Sequence, residues 1–224
     1  MKKAFITGDN AGLISELKEF LKNKFEFENS ASQKTEIAFE VTNYDRDLKF
    51  KNLNDIENHV PENAVIISSS LCIPLSQQLR FVKKVNRLFG VGIYPTFSSA
   101  KNIEVTKSNL TSPELTNVIT DIFENSIWVE DRTGLINLRI ISLIINEAYL
   151  VLQEKTADAK DIDIAMKLGT NYPYGPIEWS ERIGLDLIYN ILQSMYNEYG
   201  DDRYRITPLL KERYLEYSVL KNKN

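Results

Sequence analysis

Residues 131–186 read DRTGLINLRIISLIINEAYLVLQEKTADAKDIDIAMKLGTNYPYGPIEWSERIGLD, and their period decides how the second half of the chain folds. From Thr133 onward, apolar residues recur at the three- and four-residue spacing of amphipathic helices. Gly169, Pro173, Gly175, Gly184 and Gly200 divide them into four or five helices. The most apolar run, Leu135 to Leu152, is interrupted by Arg139, Asn146 and Glu147, which hydrocarbon tolerates only at a cost, so it is expected to be a buried core helix and not a membrane span. Asp161 and Asp163 fall in the expected first turn of a further helix, where carboxylates favour the positive end of its dipole, with Gly169 as its stop. Pro173, Gly175 and Pro176 fix the turn before the next helix.

Upstream, short β-like runs alternate with helical ones. Lys3 to Thr7 reads as a strand, Gly8 to Gly12 as a turn, and Leu13, Leu17, Phe20 and Leu21 as one face of a helix reaching about Lys24. A strand over Glu36 to Thr42, a helix from Leu48 to about His59 and a strand over Ala64 to Ser68 repeat the order. A helix through Leu79 and Val82 follows, then strands at Gly90 to Tyr94 and Asn102 to Thr106. A helix opened by Thr111, Ser112 and Pro113 leads to a last strand at Ser126 to Val129. The pattern predicts an α/β sheet domain over residues 1–129 and an all-α domain over residues 130–224, joined by a short connection.

Composition narrows the function classes. In 224 residues, 43% apolar content is enough for a sizeable core. A net charge of −4 with scattered Lys and Arg offers no basic field, so neither nucleic acid nor a membrane surface is expected as a partner. Cys72, the sole cysteine, cannot form an internal disulfide, and MKKAFITGDNAG contains no secretory apolar segment, so a cytoplasmic location is expected. The absence of clustered His and Cys predicts no metal, and Cys72 reads as an inert buried thiol.

Gly134, Arg139, Asn146-Glu147-Ala148, Asp161 to Gly169 and Pro173 to Pro176, followed by GDDRYRITPLLKE at 200–212, stand in the order found in one known domain. From about Asp131 to Leu210 the chain resembles the helical C-terminal domain of the 3-hydroxyacyl-CoA dehydrogenases. Several motifs in register are far more specific than one short pattern. The resemblance implies a Rossmann-like first domain, an acyl-CoA-type ligand and a homodimer formed through the helical domain.

The first half is similar to the family's dinucleotide-binding domain in EIAFEV (36–41) and PENAVIISSSL (61–71). The family places a second strand and a long helical hairpin ahead of Glu36. Too few residues remain for that excursion, so the sheet is expected to be trimmed, the ribose-binding strand to be lost, and Glu26 or Glu28 to be the nearest substitute for its acidic end. The resemblance places Gly8, Asn10, Gly12 and Glu40 at the cofactor, which is NAD if the family's chemistry is retained. Asn10 and Leu13 stand where a G-x-G-x-x-G loop has glycine, which weakens the cradle for a pyrophosphate.

The family's catalytic pair is a histidine supported by a glutamate, an arrangement suited to proton exchange near neutral pH. Glu104 matches the glutamate; the histidine position is Gly92, and the family's helix-start asparagine is Leu138, with Asn137 one residue early. His59, the only histidine, reads as an ordinary helix-end residue. Ser68, Ser69 and Ser70 remain to hold a thioester, Ser69 foremost. Tyr94 is the nearest substitute proton donor, but a phenol of pKa about 10 needs a neighbouring cation, for which Lys101 is the local candidate; the alternative is core packing. Glu104, Ser69 and Tyr94 are therefore the candidate catalytic set. The sequence predicts a 3-hydroxyacyl-CoA dehydrogenase-like protein with lost or much reduced NAD-dependent activity that retains acyl-CoA binding, dimerisation or both. An active enzyme with an altered site and a structural interaction module are the alternatives.

Overall fold

Strands β1 (Lys2–Thr7), β2 (Phe25–Glu28), β3 (Ile37–Glu40), β4 (Val65–Ser69), β5 (Leu88–Val91), β6 (Ile103–Lys107) and β7 (Ser126–Trp128) form one sheet in the order β2-β1-β3-β4-β5-β6-β7. The structure, a computed structural model, describes residues 1–221. Strands β1 to β5 are mutually parallel, β6 runs antiparallel to β5, and β7 is parallel to β6. This is a Rossmann-like sheet. The chain divides into two compact units, Met1–Leu135 and the helical segment from Ile136 onward.

The strand period of two sorts the core. Ile37 and Phe39 of β3 and Val65 and Ile67 of β4 face one side. There they pack with Leu13, Leu17 and Leu21 of helix α1 (Ala11–Leu21) and with Phe89, Ile119 and Phe123. Ala38 and Ile66 face the other side and meet Leu53 and Ile56 of α2 (Arg46–His59), Leu75 and Leu88. Each such Leu, Ile or Phe contributes about 1.5–3 kcal/mol by leaving water.

Three upstream expectations change. The second strand is present: Phe25–Glu28 pairs with β1, and only the excursion is absent, because residues 29–36 lead straight into β3. That connection is closed by Glu28, whose carboxylate accepts Thr35 Oγ1 at 2.6 Å and Ser32 Oγ at 3.2 Å. The helix expected through Val82 shrinks to a single turn, α3 (Leu75–Gln78), and a 3-10 turn at Leu79–Phe81, with Val82 already extended. Strand β5 lies at Leu88–Val91, so Tyr94 sits past it. Ladder pairing ends with Gly92 N–H donating to Glu104 O at 2.8 Å, and the chain then turns at Pro95 and Thr96. After β6, a 3-10 turn at Pro113–Leu115 opens α4 (Thr116–Ile122).

The helical unit contains α5 (Asn137–Gln153), α6 (Ala159–Thr170), α7 (Pro176–Ile183), α8 (Leu185–Tyr199) and α9 (Pro208–Lys221). Buried Leu138, Ser142, Ile145 and Tyr149 recur at helical spacing along α5. Several motif residues prove architectural. Arg139 donates to Tyr204 Oη at 2.8 Å and Tyr199 Oη at 3.2 Å, and Asn146 holds Arg205 O at 3.0 Å and Thr207 N at 2.9 Å. Gly169 lies inside α6; the stop is Asn171, in the left-handed conformation at φ +56°. Asp158 caps α6 and Asp161 occupies its first turn, whereas Asp163 serves α7, accepting Ile177 N at 2.8 Å and Glu178 N at 3.1 Å. Among the described residues, no helix is long and apolar enough to cross a membrane.

Candidate functional site

The β5–β6 register, Phe89↔Lys107, Gly90↔Thr106 and Val91↔Val105, continues to set Gly92 directly opposite Glu104. Directly opposed residues of an antiparallel pair project to the same face, so a side chain at 92 would lie beside the Glu104 carboxylate arm. One neighbour crowds that place. A Cβ built on Gly92 would stand 3.6 Å from Glu104 Cβ and 3.1 Å from Leu135 Cδ1, and Leu135 is buried.

His59 offers no substitute. Helix α2 leaves the end of β3 and returns to the start of β4, which puts its last residue about 21 Å along the helix from the strand ends that border Gly92. The exposed His59 ring sits on its own helix, Nδ1 2.6 Å from Asp55 O. Tyr94 packs half-buried against the core. Burial, then the charges of Glu104 and Glu16, push its phenol up to about 12, away from proton exchange at neutral pH. Lys101, the expected cation, instead lines a pocket of about 310 Å³ with Phe20, Ser98 and Asn102.

The serine loop is turned inward. Ser68, Ser69 and Ser70 are all fully buried. Ser69 Oγ donates to Asn43 Oδ1, and Asn43 Nδ2 reaches Ile93 O at 3.3 Å. Ser68 Oγ bridges Glu40 at 3.1 Å and Lys49 at 2.9 Å. Glu40 is ion-paired with Lys49, both fully buried, and also accepts Thr42 N at 3.0 Å and Asn52 Nδ2 at 3.3 Å. Both carboxylate oxygens of this cofactor candidate are thus engaged inside the protein.

The turn after β1 lies where the strand order reverses, between β1 and β3, the usual ligand position of an open α/β sheet. Gly8 is required there, since a Cβ would come within 2.7 Å of Val41 Cγ2. Asn10 is the N-cap of α1, and its Oδ1 accepts Leu13 N at 3.0 Å. A first-turn N–H of the kind that would face a phosphate is therefore satisfied from within. A Cβ on Gly12 would lie 3.3 Å from the same oxygen. Glu28, the expected substitute for the family's ribose-binding acid, stands at the end of β2, but hydroxyls from Thr35 and Ser32 and the nearby Lys3 ammonium at 3.7 Å claim its carboxylate and hold its pKa below the ordinary value, Thr35 most of all. Asn10 thus takes with its own amide oxygen one of the donors that a glycine-rich loop would leave to a pyrophosphate. Because Asn10 caps α1, Asn10→Ala should cost about 1 kcal/mol in urea denaturation and Asn10→Gly only a few tenths.

In the helical unit, Leu138, which the resemblance sets at the family's asparagine position, is fully buried in α5, and Asn137 is at the first turn, about 100° around the helix.

Comparison with known proteins meets this geometry. The 3-hydroxyacyl-CoA dehydrogenase C-terminal domain family matches residues 134–224. Residues 134–224 belong to that domain family, and the longer matches to whole dehydrogenases carry the likeness upstream of it. An Escherichia coli (strain K12) 3-hydroxyadipyl-CoA dehydrogenase is 42% identical over 87 residues, 39% of this chain and 18% of that protein. A Clostridioides difficile 3-hydroxybutyryl-CoA dehydrogenase is 27% identical over 179 residues, 78% of this chain and 62% of that protein. The matches thus span less than two thirds of either relative. The crystal structure of (S)-3-hydroxybutyryl-CoA dehydrogenase from Ralstonia eutropha shares the fold, with TM-score 0.78 and 23% identity over 95% of this chain and 93% of that one.

Within this 3-hydroxyacyl-CoA dehydrogenase relative, sequence reasoning missed Asn43, Leu135 and Glu16. Glu16 reaches from α1 to accept Thr96 N at 3.0 Å and Ser98 Oγ at 2.6 Å, which fixes the turn after β5. These are long-range contacts without a local pattern.

Proposed function

We propose that this protein is a member of the family that has lost or greatly reduced NAD-dependent dehydrogenase activity and retains acyl-CoA binding, self-association through its helical unit, or both. The observation that carries the reading is at Gly92. Glu104 keeps its place in the ladder, but nothing opposite it can take up a hydroxyl proton, and Leu135 stands in the space. The Asn10 cap and the internal bonding of Glu28 and Glu40 support the loss of the cofactor as well. The CoA thioesters named for the relatives give the ligand class.

Calorimetric titration with NADH and, separately, acetoacetyl-CoA tests the reading, followed by NADH oxidation with both present. The expected result is thioester binding without turnover, or a stable dimer without either ligand. Turnover would overturn the proposal and make Tyr94 and Glu104 the next residues to change.

A further inference from the structure

The vacated histidine position poses a packing question, because a protein interior leaves few voids larger than a water molecule. The loop 131–135 answers it. Asp131 accepts Leu75 N at 2.7 Å and Ser76 N at 2.8 Å, which ties the segment after β7 to the start of α3. Gly134 N–H donates to Leu71 O at 2.7 Å, and Leu135 N–H to Arg132 O at 2.9 Å. Gly134 and Leu135 are both left-handed, at φ +78° and +50°. For glycine this is free, whereas for leucine it is strained and persists only where the surroundings hold it. The strained residue delivers its side chain to the Gly92–Glu104 pair, where Leu135 is only 2% exposed.

We infer that Leu135 is a plug, and that positions 92 and 135 form one steric unit: the loop 131–135 holds the leucine in the volume that a side chain at 92 needs beside Glu104. This rests on reading Gly92 as the family's histidine position and goes beyond it, because it says why restoring the histidine alone cannot rebuild the pair. Leu135 is a positioning residue and not a catalytic one. It determines which side chain the site accepts.

A double-mutant cycle tests this. Gly92→His should lower the melting temperature by about 5 °C through overpacking. Leu135→Ala should lower it by about 8 °C through the cavity it opens. The combined variant should lose clearly less than the sum, because the imidazole enters the space the leucine leaves. A second readout separates this from simple packing. By NMR, the introduced imidazole should titrate above its ordinary value in the double variant, where it lies against Glu104, and rescue should disappear with Glu104→Gln. Additive losses, or an imidazole titrating at its ordinary value in the double variant, would overturn the inference. If Gly92→His does not fold, Gly92→Ala in the same cycle probes the 3.1 Å approach with a single methyl. None of these measurements uses NADH or a thioester, so their failure is distinct from a failure of the proposed function.

Discussion

Replacing Lys49 with methionine is expected to destabilise the sheet unit by about 3–5 kcal/mol, which lowers its melting temperature by about 10 °C. Lys49 and Glu40 are each fully buried, and Ser68, Asn52 and the Thr42 N–H complete the network around them. Burial pulls the Lys49 ammonium below its ordinary pKa, and the Glu40 carboxylate acts against that pull. Removing the cation leaves Glu40 desolvated with only neutral donors, whereas removing both charges removes the problem. Glu40→Leu with Lys49→Met should therefore recover most of the loss, as replaced buried pairs often do. Urea denaturation of the three variants decides it. A single-variant loss under about 1 kcal/mol would mean that the pair is not held as ions in the interior. The measurement also bears on cofactor binding, since a Glu40 that the fold needs for its own charge balance is poorly placed to serve a ligand.

How much could be read beforehand depended on whether the cause was local. The order of strands and helices was legible because periods of two and of three to four are written within a dozen residues, as in β3 and α1. The family was legible in α5 to α7 because Arg139, Asn146, Asp163 and Gly175 are each demanded by a specific contact. Strand β2 was missed, because its few residues FEFE matter through pairing with β1 and not through pattern. The loss of histidine could be read from composition alone, since His59 is the only one, and the place of Glu104 from its motif. The closure of that place by Leu135 could not, because it depends on a left-handed turn meeting a strand more than forty positions away in sequence. Ser69 illustrates the same limit. A serine at a strand end reads as a candidate ligand group, and only the fold reveals Asn43 as the acceptor of its hydroxyl.

Gly175→Ala is expected to cost about 2–4 kcal/mol, although the backbone there, at φ −76°, suits any residue. The reason is steric. A Cβ at 175 would overlap the carboxyl group of Asp163, which sits against Gly175 to accept the Ile177 and Glu178 N–H groups at the start of α7. Pro176 occupies the first position of that helix, where its missing N–H costs nothing, so the Asp163 carboxylate serves the next two donors. Asp163→Ala alone should cost about 1–2 kcal/mol as a lost cap. With Asp163 shortened, the methyl at 175 meets far less, so the double variant should be less damaged than the two losses added, by about 1 kcal/mol or more. Strictly additive losses would show that the glycine is needed for some other reason. Coupled losses would mean that the Asp163 and Pro-x-Gly-Pro motifs are one folding device. The strongest family signal in this chain would then record how α6 and α7 are joined, a requirement of folding and not of chemistry.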